Sequence, residues 1–154
     1  MVKQPSGIVR KSVLSRKAWE EDRNHDYNAF HKRFYFFYGT LMDPTTLTKV
    51  LQLGSRPQLL PARLDGYSCM RWGPYPALLD GPPGLTVYGM AYEVDSPAEV
   101  ERLKVYETDN HITKSCWINF NDGRELGGKN FGWDADKALL KEGAFDFKDW
   151  QMDN

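Results

Sequence analysis

Glu107 is the side chain here best placed by its neighbours for acid–base chemistry. Val100, Leu103 and Glu107 fall at i, i+3 and i+7 behind a helix-start signal, so they share one helical face. A carboxyl group on an inward face loses hydration, resists ionisation and can work as a general base or acid near neutral pH. A salt-bridged glutamate near a helix end fits the same spacing. His111, four residues on, opens a strand pattern; it suits either a site beside Glu107 or a surface position. The second stretch of interest is Tyr38-Gly39-Thr40-Leu41, between the aromatic run Phe36-Phe37 and the helix-start pair Asp43-Pro44. Gly39 permits backbone conformations that a side chain forbids. A tight strand-to-helix turn also leaves backbone N–H groups unpaired, and these suit an anionic or carbonyl oxygen. An ordinary strand–loop–helix junction would look the same.

Other chemistries find little support. His25, His31 and His111 have no metal-ligand spacing, and no metal or organic cofactor is expected. Ser68, Cys69 and Thr40 lack a nucleophile-elbow or cysteine-protease context. No glycine-rich phosphate motif occurs, and Gly127-Gly128 reads as a turn. A net charge of −1 without a basic-aromatic motif excludes general nucleic-acid binding. No apolar run reaches the length of a membrane span. Cys69 and Cys116 both fall in strand patterns and read as small core residues in a reducing compartment, which places the protein in the cytoplasm. A disulfide between them stays open.

The chain that must position these residues has 154 of them, enough for one domain. Residues 1–33 carry eight Lys/Arg and four Asp/Glu, so they hold +4 and the rest −5. Their basic, serine-interspersed start suits a transit peptide or a polar arm. We read an arm, with a helix possible over 16–27, followed by one domain over 34–154. Arg33–Tyr38 is aromatic without alternation and predicts a strand buried on both faces. Leu47, Val50 and Leu51 predict a short amphipathic helix ending near Gly54. Leu59–Met70 predicts a strand broken at Asp65-Gly66. The prolines of 71–79 predict a rigid loop, which suits either presenting Tyr75 or Arg71 to a pocket or a structural role. Residues 80–84 form a turn cluster, and Thr86–Val94 a strand in which Gly89 marks a bulge or a close backbone approach. Ser96, Pro97 and Glu99 are a cap, a first-turn proline and a capping-box partner. His111–Phe120 alternates as a strand with Ile112, Cys116, Ile118 and Phe120 on one face, closed by the turn Asn121-Asp122-Gly123. Asn130–Trp133 predicts a short strand and Asp134–Lys141 a helix. Phe145, Phe147 and Trp150 pack the tail onto the body.

Several of these pieces occur in the order and spacing of a known family. Tyr38-Gly39-Thr40-Leu41, Tyr75-Pro76-Ala77-Leu78, Val87-Tyr88-Gly89, Tyr92-Glu93-Val94, Leu103 with Tyr106-Glu107, and the tail 142–146 together resemble the gamma-glutamylcyclotransferase-like superfamily, in its AIG2-like branch. The resemblance runs from about Phe36 to Trp150. It implies an α+β fold, a small mixed β-barrel with flanking helices, and no cofactor. It implies that residues 38–41 hold substrate through backbone amides, that Glu107 is catalytic, and that Tyr75 and His111 border the substrate. The implied partner is a small γ-glutamyl amide, cleaved by intramolecular attack to 5-oxoproline and an amine. Two positions depart from the pattern: Thr40 replaces a commoner serine, and His111 stands where relatives usually carry tyrosine. A silent binding protein that keeps the pocket, or a lactam-forming enzyme, would share these features.

Overall fold

The computed structural model describes residues 32–108, 110–143 and 146–153. The expected arm helix and Phe145 lie outside them. Among the described residues seven strands occur in order: β1 (Arg33–Phe37), β2 (Leu60–Asp65), β3 (Tyr67–Trp72), β4 (Tyr75–Asp80), β5 (Thr86–Val94), β6 (His111–Phe120) and β7 (Glu125–Trp133). Helix α1 (Pro44–Leu51) follows β1 through a 3-10 turn at Thr40–Met42, α2 (Pro97–Glu107) follows β5, and α3 (Phe147–Asp153) ends the described chain. Five strands close a barrel in the order β1-β5-β2-β6-β7, and β3 with β4 forms a separate two-stranded sheet. Closure is made by the parallel pairing of β1 with β7, where Phe34 meets Gly128 and Tyr35 meets Lys129.

β1 is buried on both faces, as its composition predicts. Phe36, with Phe34 beside it, packs among Ala62, Leu64, Ala91, Cys116, Ile118 and Phe120. Tyr35 and Phe37 face the helices, among Leu41, Leu47, Leu51, Val94 and Leu103. Each such buried side chain contributes about 1.5–3 kcal/mol relative to exposure. β1 therefore joins both layers, and the loop that leaves it is fixed from two sides.

Two glycines let the barrel close. A Cβ on Gly89 would lie 2.1 Å from Phe37 O, and one on Gly128 would lie 2.6 Å from Phe34 O and 2.4 Å from Ile118 Cδ1. Gly89 is thus the close approach its place in a strand predicts. Gly128 corrects the reading of Gly127-Gly128 as a turn: β7 runs through both, because the parallel neighbour needs the space a side chain would take.

Two further expectations are corrected. Residues 75–80 are strand β4, although Pro76 lies within it. Pro76 stands opposite Arg71, whose N–H and C=O both bond Lys141 on the other side, at 2.8 Å each. No hydrogen bond to β4 is asked for at that pair, so the missing proline N–H goes unfelt. Residues 134–141 do not form an α-helix. Asp136 caps only a 3-10 turn at Lys137–Leu139, and Lys141 is already committed to its bridge with Arg71. Arg71 is held along this bridge and does not line the cavity described below.

The helix signals hold. The Asp43 carboxylate accepts from Thr46 N–H at 3.0 Å, with Pro44 in the first turn of α1. The helix stops at Leu51, earlier than Gly54, with Gln52 left-handed at φ 57. Ser96 Oγ accepts from Glu99 N–H at 3.3 Å, and the Glu99 carboxylate accepts from Asp95 N–H at 2.9 Å. Gln151 of α3 donates to Asp43 at 2.9 Å, and Phe147 stacks on Trp150, so the tail folds back on the start of α1. In β6, Cys116, Ile118 and Phe120 are buried as the alternation predicts, but Ile112 near its start is 44% exposed. Cys69 and Cys116 are thiols, which decides against a disulfide between them. Among the described residues no helix is long and apolar enough to cross a membrane.

Candidate active site

A cavity of about 370 Å³ opens where β1, the β3–β4 hairpin, the end of α2 and the start of β6 converge. Its lining includes Tyr38, Gly39, Thr40 and Leu41, then Tyr75, Glu107 and His111, all named from the sequence; Arg71, the alternative to Tyr75, stays outside it. The two stretches, almost seventy positions apart, meet because α1 and α2 pack on one face of the barrel. Leu47, Leu51 and Leu103 share the core there, all at or near zero exposure.

The loop after β1 is held tightly. Tyr38 Oη donates to Phe131 O of the neighbouring strand β7. Thr40 Oγ1 and Tyr106 Oη share a hydrogen bond of 2.6 Å, tying the loop to the last turn of α2. Gly39 has φ −135, so handedness is not what requires a glycine there. Space is the reason: a Cβ would sit 2.9 Å from Pro76 Cγ. Thr40 and Leu41 begin a three-residue turn, whose leading N–H groups have no earlier carbonyl in the turn to bond.

Glu107 is the last residue of α2, so the i+7 projection from Val100 and Leu103 holds to the end of the helix. Among the described residues its carboxyl group makes no hydrogen bond or ion pair, which removes the salt-bridged alternative. Desolvation alone raises its pKa from 4.5 to about 7. Both protonation states are then present near neutrality, as a group that must take and return a proton requires.

The turn after Glu107 is strained. Thr108 has φ 68 and ψ 176, a conformation that a β-branched residue adopts at a cost of about 1–3 kcal/mol. Three bonds hold it: Thr108 N–H to Lys104 O at 3.2 Å, His111 N–H to Thr108 O at 3.3 Å, and His111 Nδ1–H to Glu107 O at 2.7 Å. The last fixes the proton of neutral His111 on Nδ1. Burial lowers the pKa of this imidazole from 6.5, partly offset by that bond.

Trp72, Pro76, Tyr106, Thr108 and Phe131 also line the cavity and were not singled out by the sequence. Tyr106 is 38% exposed and holds Thr40. The hint that could have found Trp72 and Pro76 is the symmetry of Trp72-Gly73-Pro74-Tyr75 about a hairpin tip, with Gly73 at φ 59. Among the described residues no group of three or more His, Cys, Asp or Glu side chains is placed to hold a metal ion.

A family model described as gamma-glutamyl cyclotransferase, AIG2-like, matches residues 35–152. No curated protein matches the sequence. A solution structure of a protein from Arabidopsis thaliana superposes with a TM-score of 0.64 at 21% identity, covering 80% of this chain and 75% of that one. A structure named gamma-glutamyl cyclotransferase gives 0.55 at 11% identity over 68% of each chain. An AIG2-like protein from Mus musculus gives 0.55 at 19% identity, over 76% of this chain and 90% of its own. These structures share the α+β barrel fold described above.

Proposed function

We propose that this chain, which belongs to the gamma-glutamyl cyclotransferase, AIG2-like family, cleaves a γ-glutamyl amide to 5-oxoproline and a free amine. The observation that carries the reading is Glu107: an unpaired, desolvated carboxyl group with a pKa of about 7, in one cavity with the 38–41 loop.

The chemistry follows from that placement. The substrate's α-ammonium must lose a proton before its nitrogen can attack its own γ-carbonyl carbon. The Glu107 carboxylate takes that proton. The new C–N bond closes a five-membered ring and pushes the carbonyl electrons onto oxygen. Backbone N–H groups of residues 39–41 stabilise that oxyanion or anchor the substrate's α-carboxylate. As the intermediate collapses, Glu107 gives its proton to the amide nitrogen as that bond breaks, then takes the second proton from the ring nitrogen and passes it to the released amine, which departs as an ammonium. Nucleophile and electrophile belong to one molecule, so the main task of the cavity is to hold the folded conformer. Tyr75 and His111 are assigned to the substrate-binding wall. The activity is assigned to residues 34–154, with 1–33 an arm outside it, and the two cysteine thiols suit a cytoplasmic protein.

Release of 5-oxoproline from a panel of γ-glutamyl amides tests the reading. Turnover that depends on Glu107 supports it. Binding of 5-oxoproline without turnover of any amide would identify a silent binding protein that keeps the pocket.

A further inference from the structure

We infer that the amine side of the cavity selects a flat, aromatic leaving group, with Trp72 as the residue that sets this preference. The inference rests on the cyclotransferase reading and adds the class of amine released.

Beside the 38–41 loop the cavity wall is built from rings. Trp72 and Tyr75 come from the β3–β4 hairpin, and His111 from the start of β6. Trp72 is backed by Trp133 at 5.3 Å between centroids, and His111 meets the same Trp133 edge-on at 5.5 Å and 87°. Trp72 and His111 are themselves 6.4 Å apart, with their planes inclined at 66°. Three rings brace one another, so the Trp72 surface offered to the cavity is rigid. Edge-to-face and offset contacts at these separations are the geometry aromatic rings prefer.

Much of the polar lining is tied up internally, and the polar atoms left over, on Trp72, Tyr75, Thr108 and the second nitrogen of His111, are neutral. Tyr38 Oη donates to Phe131 O, Thr40 and Tyr106 hydroxyls bond each other, and His111 Nδ1–H donates to Glu107 O. Among the described residues Glu107 is the one charged side chain in the lining, and the proposed reaction occupies it with the α-amine. Among the described residues no lysine or arginine lines the cavity to pair the carboxylate of a released amino acid, and no second acid lines it to pair the distal ammonium of a diamine. A charged leaving group would shed hydration there and meet no counter-charge among the described residues, which is costly. A ring would exchange water for the Trp72 surface at no such cost. The lowered pKa of His111 keeps this wall uncharged at neutral pH.

Four amides test this: the γ-glutamyl amides of benzylamine, butylamine, alanine and the lysine ε-amine. Each is measured for 5-oxoproline release by the wild type, and for binding to Glu107→Gln, which keeps the cavity but removes the base. The benzylamide is expected to exceed the other three by about tenfold or more in kcat/KM and in affinity. Trp72→Leu is expected to erase that margin and Trp72→Phe to retain most of it. The variants are compared as ratios between amides, so a loss of folded protein cancels. Equal turnover of all four, a preference for alanine or lysine amides, or a margin unchanged in Trp72→Leu overturns the inference while leaving the cyclotransferase reading intact. Selective benzylamide binding without any 5-oxoproline release supports the aromatic subsite and sinks the reaction. Neither binding nor release by any of the four overturns both.

Discussion

Replacing Glu107 by glutamine should make the protein more stable at alkaline pH while removing its activity. In the unfolded chain this carboxyl ionises near 4.5; in the fold it keeps its proton up to about 7. Between those values the native state binds more protons than the unfolded state, so stability falls as pH rises through the window. The contribution is fully present below 4.5 and gone above about 7, where the fold must bury a charge. The gap between 4.5 and about 7, at about 1.36 kcal/mol per pH unit, sets a ceiling of about 3 kcal/mol. Relaxation around a side chain that keeps some exposure reduces this to about 1–3 kcal/mol. Glutamine has nearly the shape of protonated glutamate and never ionises. Glu107→Gln should therefore match the wild type at pH 4 and exceed it at pH 8, by roughly 3–10 °C in Tm for a domain of this size. Turnover should fall by roughly 10²–10⁴. The wild-type rate should rise with pH through about 7, as the base ionises, and this limb should vanish in the variant. Thermal melts at both pH values beside a 5-oxoproline assay measure all of it. A variant that melts lower than the wild type at pH 8 and keeps its turnover would refute the reasoning, because the carboxylate would then be a structural partner.

His111→Tyr removes the donor to Glu107 O; the expected stability loss is about 1 kcal/mol, with a larger shift in relative kcat/KM across γ-glutamyl amides, checked by melts and by the panel. Thr108→Gly relieves the positive φ beside the base, and after the entropy cost of glycine a net gain of about 1 kcal/mol is expected, with lower turnover as the Glu107 position loosens. A loss of stability in urea melts would show that Thr108 is not strained. Gly89→Ala drives a methyl group into Phe37 O and should cost at least about 2 kcal/mol, or prevent folding, as urea unfolding or soluble yield would report. Ordinary stability in that variant would mean that β1 and β5 lie further apart than described.

The sequence alone determined the local elements wherever one physical signal dominated. Asp43-Pro44 and Ser96-Pro97-Glu99 satisfy helix N–H groups from nearby in the chain, so both helix starts were legible. The strand of 111–120 was legible because its alternation needs no partner to be recognised, and Glu107 because seven residues of helix fix which way it faces. The expectations that failed were those decided by a neighbour distant in sequence. Pro76 sits in a strand because Lys141 takes the hydrogen bonds of Arg71. Gly128 continues a strand because Phe34 O needs its space. Residues 134–141 stay short of a helix because the bridge to Arg71 fixes Lys141 before a second turn can form. The site divides in the same way. Residue type and spacing nominated Glu107, His111 and the 38–41 loop, but the protonation of Glu107 was open between a paired carboxylate and a desolvated one. Tertiary structure decided that, because desolvation depends on which side chains exclude water. It also placed Trp72, which no local periodicity marks, on the wall of the cavity through a hairpin whose register is set by pairing across the sheet.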